Sequence, residues 1–225
     1  MSVDGSVWLI GSNVWRNGSF ETTLPGERQY GPGNYYPQQI RTSTVSGDGY
    51  ICAVCGDMSC NVYVYSGASW SVLGSFPHGM GMSGISYTCA LSNDGYSLVV
   101  MRNSSDLVSV TLYEYTGGSW SEKIIFTSAI NSSATNTVNM NRDGSRIVIY
   151  VLYNAYEYSN NTLSPISVNV AQSAVFSRTN ADWYAYTNGN KVYSPLISLD
   201  VTVNINPNNF LLSFGSNIIA ACDSV

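Results

Sequence analysis

The dipeptide Asp-Gly recurs in a fixed context, and that recurrence limits what the chain can fold into more than any other feature. SVDGSVWLIG (2–11), SGDGYICAVC (46–55), SNDGYSLVVM (92–101) and NRDGSRIVIY (141–150) each place a polar residue before Asp-Gly and an apolar run after it. Asp-Gly between apolar runs is a strong hairpin signal, because glycine takes the positive φ of a tight turn without a side-chain clash. SRTNADWYAY (177–186) is a fifth variant with Asn180 in the glycine place. Asn is the next best residue for left-handed backbone.

The pattern continues on both sides of each turn. An extended segment precedes it in QIRTSTVS (39–46), ISYTCALS (85–92), TVNMN (137–141) and AQSAVFS (171–177). After the apolar run come NVW-RNGSF (13–20), NVYVYSGASW (61–70), VTLYEYTGGSW (110–120), NAYEYSNNTL (154–163) and the shorter NKVYSP (190–195). Each of these reads as a strand, a small polar turn and a new strand, with Trp15, Tyr65, Tyr115, Tyr158 and Tyr193 aligned at the strand end. One unit is therefore strand A, Asp-Gly turn, strand B, loop, strand C, polar turn, strand D.

The glycine position falls at residues 5, 49, 95, 144 and 180, at intervals of 44, 46, 49 and 36 residues. Four strands in such a span is the spacing of a propeller blade. A blade cannot bury both faces alone, so blades stack and the ring closes. The expected fold is all-β: a five-bladed β-propeller of four-stranded antiparallel blades, one domain over 1–225. The expected blades are 217–225 plus 1–24, 39–74, 85–126, 137–167 and 171–203. The first unit has only Met1, Ser2 and Val3 before its turn, so its strand A is assigned to NIIAAC (217–222), pairing the C-terminus with the N-terminal strands.

SNDGYSLVV and VTLYEYTGGSWSE within 92–122, echoed by SGDGYICAV and NVYVYSGASWS within 46–71, resemble FG-GAP-like (integrin-α-type) propeller repeats and, more loosely, WD40-like repeats. The resemblance implies the propeller fold, which serves enzymes, lectins and scaffolds alike. FG-GAP-like repeats often carry a calcium loop before the Asp-Gly. Here the positions four and two before Asp94 are Ala90 and Ser92, and those before Asp48 are Thr44 and Ser46, too few oxygens for a calcium cage. Asp48, Asp94 and Asp143 are read as turn formers, and no metal or cofactor is expected.

Charge narrows the partners. Nine Lys and Arg against a net charge of −5 oppose nucleic acid, which needs clustered cations. No apolar run approaches the roughly 18–20 residues of a membrane span, and MSVDGSVWLIG lacks the pattern of a signal peptide. Cys52, Cys55 and Cys60 suggest a zinc site, but Cys52 and Cys55 lie three apart on strand B and point to opposite faces. Buried free thiols are the expectation.

The residues offer little chemistry. His78 is the single histidine and has no nucleophile motif beside it. Strands A carry no carboxylate pair for glycoside hydrolysis. Glu114 and Glu157 sit in strands C, where they are expected outward and solvated. The acceptor-like sequences at Asn17, Asn103, Asn131 and Asn160 are read as turn composition. In an antiparallel A-B-C-D blade the A–B and C–D turns emerge on one face, and the B–C and D–A loops on the other. The second face holds the long loops, and the richest is PGERQYGPGNYYPQ (25–38). Recognition is placed on variable loops of a rigid scaffold. Arg28, Tyr30, Tyr35, Tyr36 and His78 are thus the candidate binding residues, for a protein partner or a larger assembly such as a virion or surface appendage. A lectin-like glycan site is the alternative, and a glycoside hydrolase a distant one.

Overall fold

The computed structural model describes residues 1–24, 40–56, 59–77, 86–104, 106–129, 136–152, 154–166, 173–176, 184–188, 191–194, 199–202, 210–214 and 219–223. These residues are all-β, and no helix among them is long and apolar enough to cross a membrane. The first sheet has three strands, β1 (Val7–Ile10), β2 (Asn13–Arg16) and β3 (Ser19–Thr23). Four sheets of four antiparallel strands follow, each in sequence order. They are β4 (Ile40–Val45), β5 (Ile51–Gly56), β6 (Ser59–Tyr65), β7 (Trp70–Pro77); and β8 (Ser86–Leu91), β9 (Ser97–Asn103), β10 (Leu107–Thr116), β11 (Ser119–Ala129). Next come β12 (Thr137–Met140), β13 (Arg146–Val151), β14 (Asn154–Ser159), β15 (Thr162–Ile166); and β16 (Ser173–Phe176), β17 (Tyr184–Asn188), β18 (Lys191–Ser194), β19 (Leu199–Thr202). A hairpin of β20 (Phe210–Phe214) and β21 (Ile219–Asp223) completes the described strands.

The sheets are stacked in series. β1 lies beside β4, β4 beside β8, β8 beside β12, β12 beside β16 and β16 beside β20. The second strands β5, β9 and β13 are therefore covered on both faces, which explains why ICAVCG and RIVIYV are apolar without alternation. The fourth strands, β7, β11 and β15, are mostly exposed and carry the polar residues.

One apolar cluster fills each interface between the first four sheets. Val7, Val14 and Leu24 meet Val45, Cys52, Val54 and Tyr63. Ile51, Ala53, Val62 and Phe76 meet Tyr87, Leu98, Val100 and Tyr113. Val99, Met101, Val110 and Leu112 meet Val138, Ile147, Ile149 and Tyr158. The strand period of two divides the labour: Cys52 and Val54 face the preceding sheet, and Ile51, Ala53 and Cys55 the following one. Each fully buried aliphatic side chain contributes about 1.5–3 kcal/mol.

The Asp-Gly turns repeat atom for atom. Ser2, Ser46 and Ser92 donate their hydroxyls to Oδ1 of Asp4, Asp48 and Asp94 at 2.7, 2.6 and 2.6 Å. The same hydroxyls accept the amides of Val7, Ile51 and Ser97 at 2.9, 3.0 and 2.9 Å. Asn141 replaces the serine in the fourth sheet, its Oδ1 accepting the Arg146 amide at 2.9 Å. The turns are also joined to one another by backbone bonds of 2.8, 2.8 and 2.7 Å, from Val3 N to Gly47 O, Gly47 N to Asn93 O, and Asn93 N to Arg142 O. Gly95 shows what its place requires: φ is 79°, and a Cβ there would stand 2.6 Å from Ile51 of the preceding sheet.

Three expectations from the sequence are corrected. Cys55 and Cys60 are not free thiols but a disulfide, because they are directly opposed in the β5–β6 register on either side of a short turn. Cys52 and Cys89 are free. The aligned strand-end aromatics occupy two different rungs. Trp15 and Tyr158 pair with Trp8 and Ile147, the rung filled in the other sheets by Tyr63 and Tyr113. Tyr65 and Tyr115 lie further along, because β6 and β10 run past the start of the neighbouring strand where β2 and β14 stop. The third concerns the C-terminal strand. Residues 217–222 were assigned to the first sheet, whereas Ile219–Asp223 pairs with Phe210–Phe214, a strand the sequence reading did not anticipate.

Candidate interaction surfaces

Strand order puts the Asp-Gly turns and the β2–β3, β6–β7, β10–β11 and β14–β15 turns at one end of the sheets. The opposite end carries the connections that run 24–40, 77–86 and 129–137. Arg28, Tyr30, Tyr35, Tyr36 and His78 all belong to those connections and lie outside the described residues. Their scaffold is described. Leu24 is buried, and its amide donates to Ser12 O at 2.8 Å, fixing the departure of the first connection. Asn136, also buried, donates to Asn103 Oδ1 at 2.8 Å and accepts the Leu152 amide at 3.2 Å. One side-chain amide thereby ties the third sheet to the fourth beneath the connections.

The turn end carries a feature the sequence reading missed. Tyr50, Tyr65 and Trp70 form one aromatic group, with centroids 6.2 Å and 5.2 Å apart in succession. Tyr96, Tyr115 and Trp120 form a second at 5.6 Å and 5.2 Å. The rings of Tyr50 and Tyr96 are about half exposed, at 48% and 46%. The signal was present in the repeated strings DGY, YSGASW and YTGGSW. Arg16 of the first sheet lies 4.3 Å from the Tyr65 centroid, while its Nε donates to Glu21 at 3.1 Å and its Nη2 to Gly49 O at 3.4 Å. Trp120 Nε1 donates to Leu73 O at 3.1 Å, and Lys123 Nζ to the Tyr158 hydroxyl at 2.9 Å. Each of the three interfaces among the first four sheets is thus bridged near the turn end by a side chain of β2 or β11.

Several ionisable groups among the described residues are engaged in structure. The Ser2 hydroxyl, helped by the Ser6 amide and hydroxyl, holds the Asp4 carboxyl down at about 2. The Ser145 hydroxyl pulls Asp143 below the usual carboxylate range. Arg146 holds Glu157 with two bonds, Nε to Oε1 at 2.9 Å and Nη2 to Oε2 at 3.0 Å. Glu157 was expected solvated and is instead part-buried in an ion pair, because its rung lies opposite the arginine-bearing end of β13. Glu114 is exposed. Burial pushes the Cys52 and Cys89 thiols up to about 12, which keeps them protonated and poor nucleophiles at neutral pH. Among the described residues no group of three or more His, Cys, Asp and Glu side chains could hold a metal ion.

No protein-family model and no curated protein sequence matches the chain. Solved structures do. The WD40 domain of SCAP from fission yeast superposes with a TM-score of 0.53 at 11% identity, over 89% of this chain and 49% of that one. The fold is propeller-like. TolB from Acinetobacter baumannii gives 0.52 at 12% identity, over 84% of this chain and 53% of that one. The complex of KlAtg21 with the coiled-coil of AgAtg16 gives 0.55 at 10% identity, over 94% and 74%. The chain spans about half the length of the first two neighbours and about three quarters of the third. Identities this low speak to the fold alone.

Proposed function

We propose that residues 1–225 form one domain acting as a non-enzymatic interaction module, which holds a protein partner on the end of the sheets that carries the long connections. The observation behind this reading is the difference between the two ends. At one, serine hydroxyls, glycines and a run of backbone bonds make the turns uniform from sheet to sheet. At the other, the connections differ in length and sequence while Leu24 and Asn136 fix their bases. Recognition is built where sequence is free to vary on a rigid support. Tyr30, Tyr35, Tyr36 and Arg28 supply amphipathic contact area at low entropic cost, and His78 joins them from the next connection. One of the similar structures is a complex with a coiled coil, which favours a protein over a small molecule.

The test is co-purification from the native source with the wild-type chain and with Tyr35→Ala combined with Tyr36→Ala. The double variant is expected to melt within about 1–2 °C of wild type, as surface substitutions do, and to lose the partner. Unfolding of the variant, or full retention of the partner, would overturn the assignment of these tyrosines.

A second reading, glycan binding, is favoured by one observation: the half-exposed rings of Tyr50 and Tyr96, each at the edge of an equivalent aromatic group, suit stacking against sugar rings. Binding on a glycan array that disappears with Tyr50→Ala plus Tyr96→Ala would support it. An array with no signal above background would remove it.

A further inference from the structure

The register makes the first four sheets comparable position by position. Trp8 pairs with Trp15 as Cys52 pairs with Tyr63, Leu98 with Tyr113 and Ile147 with Tyr158. Ile10, two residues beyond Trp8, corresponds to Val54, Val100 and Ile149. In the second, third and fourth sheets these nine side chains face the preceding sheet, and none is more than 7% exposed. In the first sheet Trp8 is 49% exposed, Ile10 61% and Trp15 37%. Phe20 is no part of the anomaly, because its counterparts Val72 and Leu163 on the outer strands are exposed as well. The open face is therefore confined to three positions on β1 and β2, all of which elsewhere touch another sheet.

We infer that this face is covered by the β20–β21 hairpin of the same chain, packed sheet against sheet. Two observations select that occupant. First, the series of neighbours β4, β8, β12, β16, β20 gives β20 the place of a strand A, and its partner β21 the place of a strand B. At the other interfaces a strand B and the strand C beside it stand over these positions: Val7 of β1 and Val14 of β2 share a cluster with Cys52 and Tyr63, and Ile51 and Ala53 of β5 and Val62 of β6 share one with Leu98 and Tyr113. Second, the hairpin sequence FLLSF and IAACD is apolar in both alternations, as are ICAVCG and RIVIYV, which are covered on both sides. A hairpin with this composition suits a place between two sheets, and β16 stands on one side of it. Face packing differs from adding a strand to the edge of β1. It makes six units in the ring, the first without a strand A and the last without strands C and D.

The inference rests on the fold and is independent of the loop-end reading. A photoreactive benzoylphenylalanine in place of Trp8, in the full chain, tests it. Irradiation of the monomer is expected to produce an intramolecular cross-link to residues 210–214 or 219–223, mapped by mass spectrometry. A cross-link to a second copy, or labelling by solvent alone, would overturn it. The paired variant Ile10→Ser with Trp15→Ser provides a second measurement, with an expected loss on the order of 5 °C in Tm. An unchanged Tm would show that nothing covers the face. A cross-link confined to the edge of β1 with the face still open to hydroxyl-radical oxidation would indicate strand pairing instead and overturn face packing.

Discussion

The two ends of the sheets solve the same problem, turning the chain between antiparallel strands, in opposite ways. At the Asp-Gly end one solution is used repeatedly, and the turns bond across sheets as well as within them. Those bonds need matched backbone at each repeat, so the side chains are nearly invariant: serine twice removed from aspartate, then glycine. At the other end each connection has its own length, and local devices differ, a disulfide at Cys55–Cys60 and an amide bridge at Asn136. Uniformity is the mark of turns that hold one another, and variety goes with the separate local bonds that the described residues carry at the other end.

The sharpest way to break the comparison is Gly95→Val. It combines a φ of 79° with a Cβ 2.6 Å from the Ile51 side chain, so both backbone strain and overpacking apply. A loss of about 3–4 kcal/mol is expected, read as a fall of roughly 10 °C in Tm. Gly118→Ala separates the two causes, since φ there is 87° with nothing within 4 Å of the new Cβ. Its cost should be only about 1 kcal/mol.

At the opposite end, Cys60→Ser opens the disulfide. The bridge closes a short loop, and chain entropy assigns it about 2 kcal/mol. Wild type melted with and without reductant checks the size of the effect, and the variant should match the reduced protein. Ser92→Ala comes next: the buried hydroxyl donates to Asp94 and accepts from Ser97, and its removal should cost about 1–2 kcal/mol. Asn136→Leu makes the parallel cut at the loop end, and similar losses would show that the ends differ in pattern and not in strength.

The smallest effect is on acid stability. Asp4 and Asp143 have folded-state pKa values below their unfolded ones, so the stability they contribute is complete above about pH 4 and is lost as pH falls below that, toward 2 in the case of Asp4. Tm should be flat near neutrality and decline through that window. Asp143→Asn should make the decline shallower, and an unaltered pH profile would show that the turn carboxyl is not linked to folding.

Much of this was legible because the repeat carries its own punctuation. Asp-Gly marks the A–B turn, and the unbroken apolar run behind it marks a strand with two covered faces. Phe210–Phe214 lacked that punctuation: five residues with no Asp-Gly nearby, whose role depends on β16 beside it. The disulfide was hidden because Cys55 and Cys60 meet only once the β5–β6 register is known, and in the sequence they flank what reads as an ordinary loop. The aromatic rung was misjudged for a related reason. A difference of one or two residues in how far strand C extends is invisible to an alignment anchored on the turn, which matches Tyr65 to Trp15 in place of Tyr63. Of the candidate binding residues, spacing could indicate a loop and composition a contact patch. Neither specifies where Tyr35 or Tyr36 stands.

The bonds from Val3 to Gly47, Gly47 to Asn93 and Asn93 to Arg142 run in a single direction, each turn receiving a donor from the unit before it and giving its own to the unit after. A copied unit spliced into such a line meets the same donor and acceptor that its parents presented, and leaves no polar group stranded at either junction. Lengthening by tandem duplication is then nearly free of local penalty at these turns.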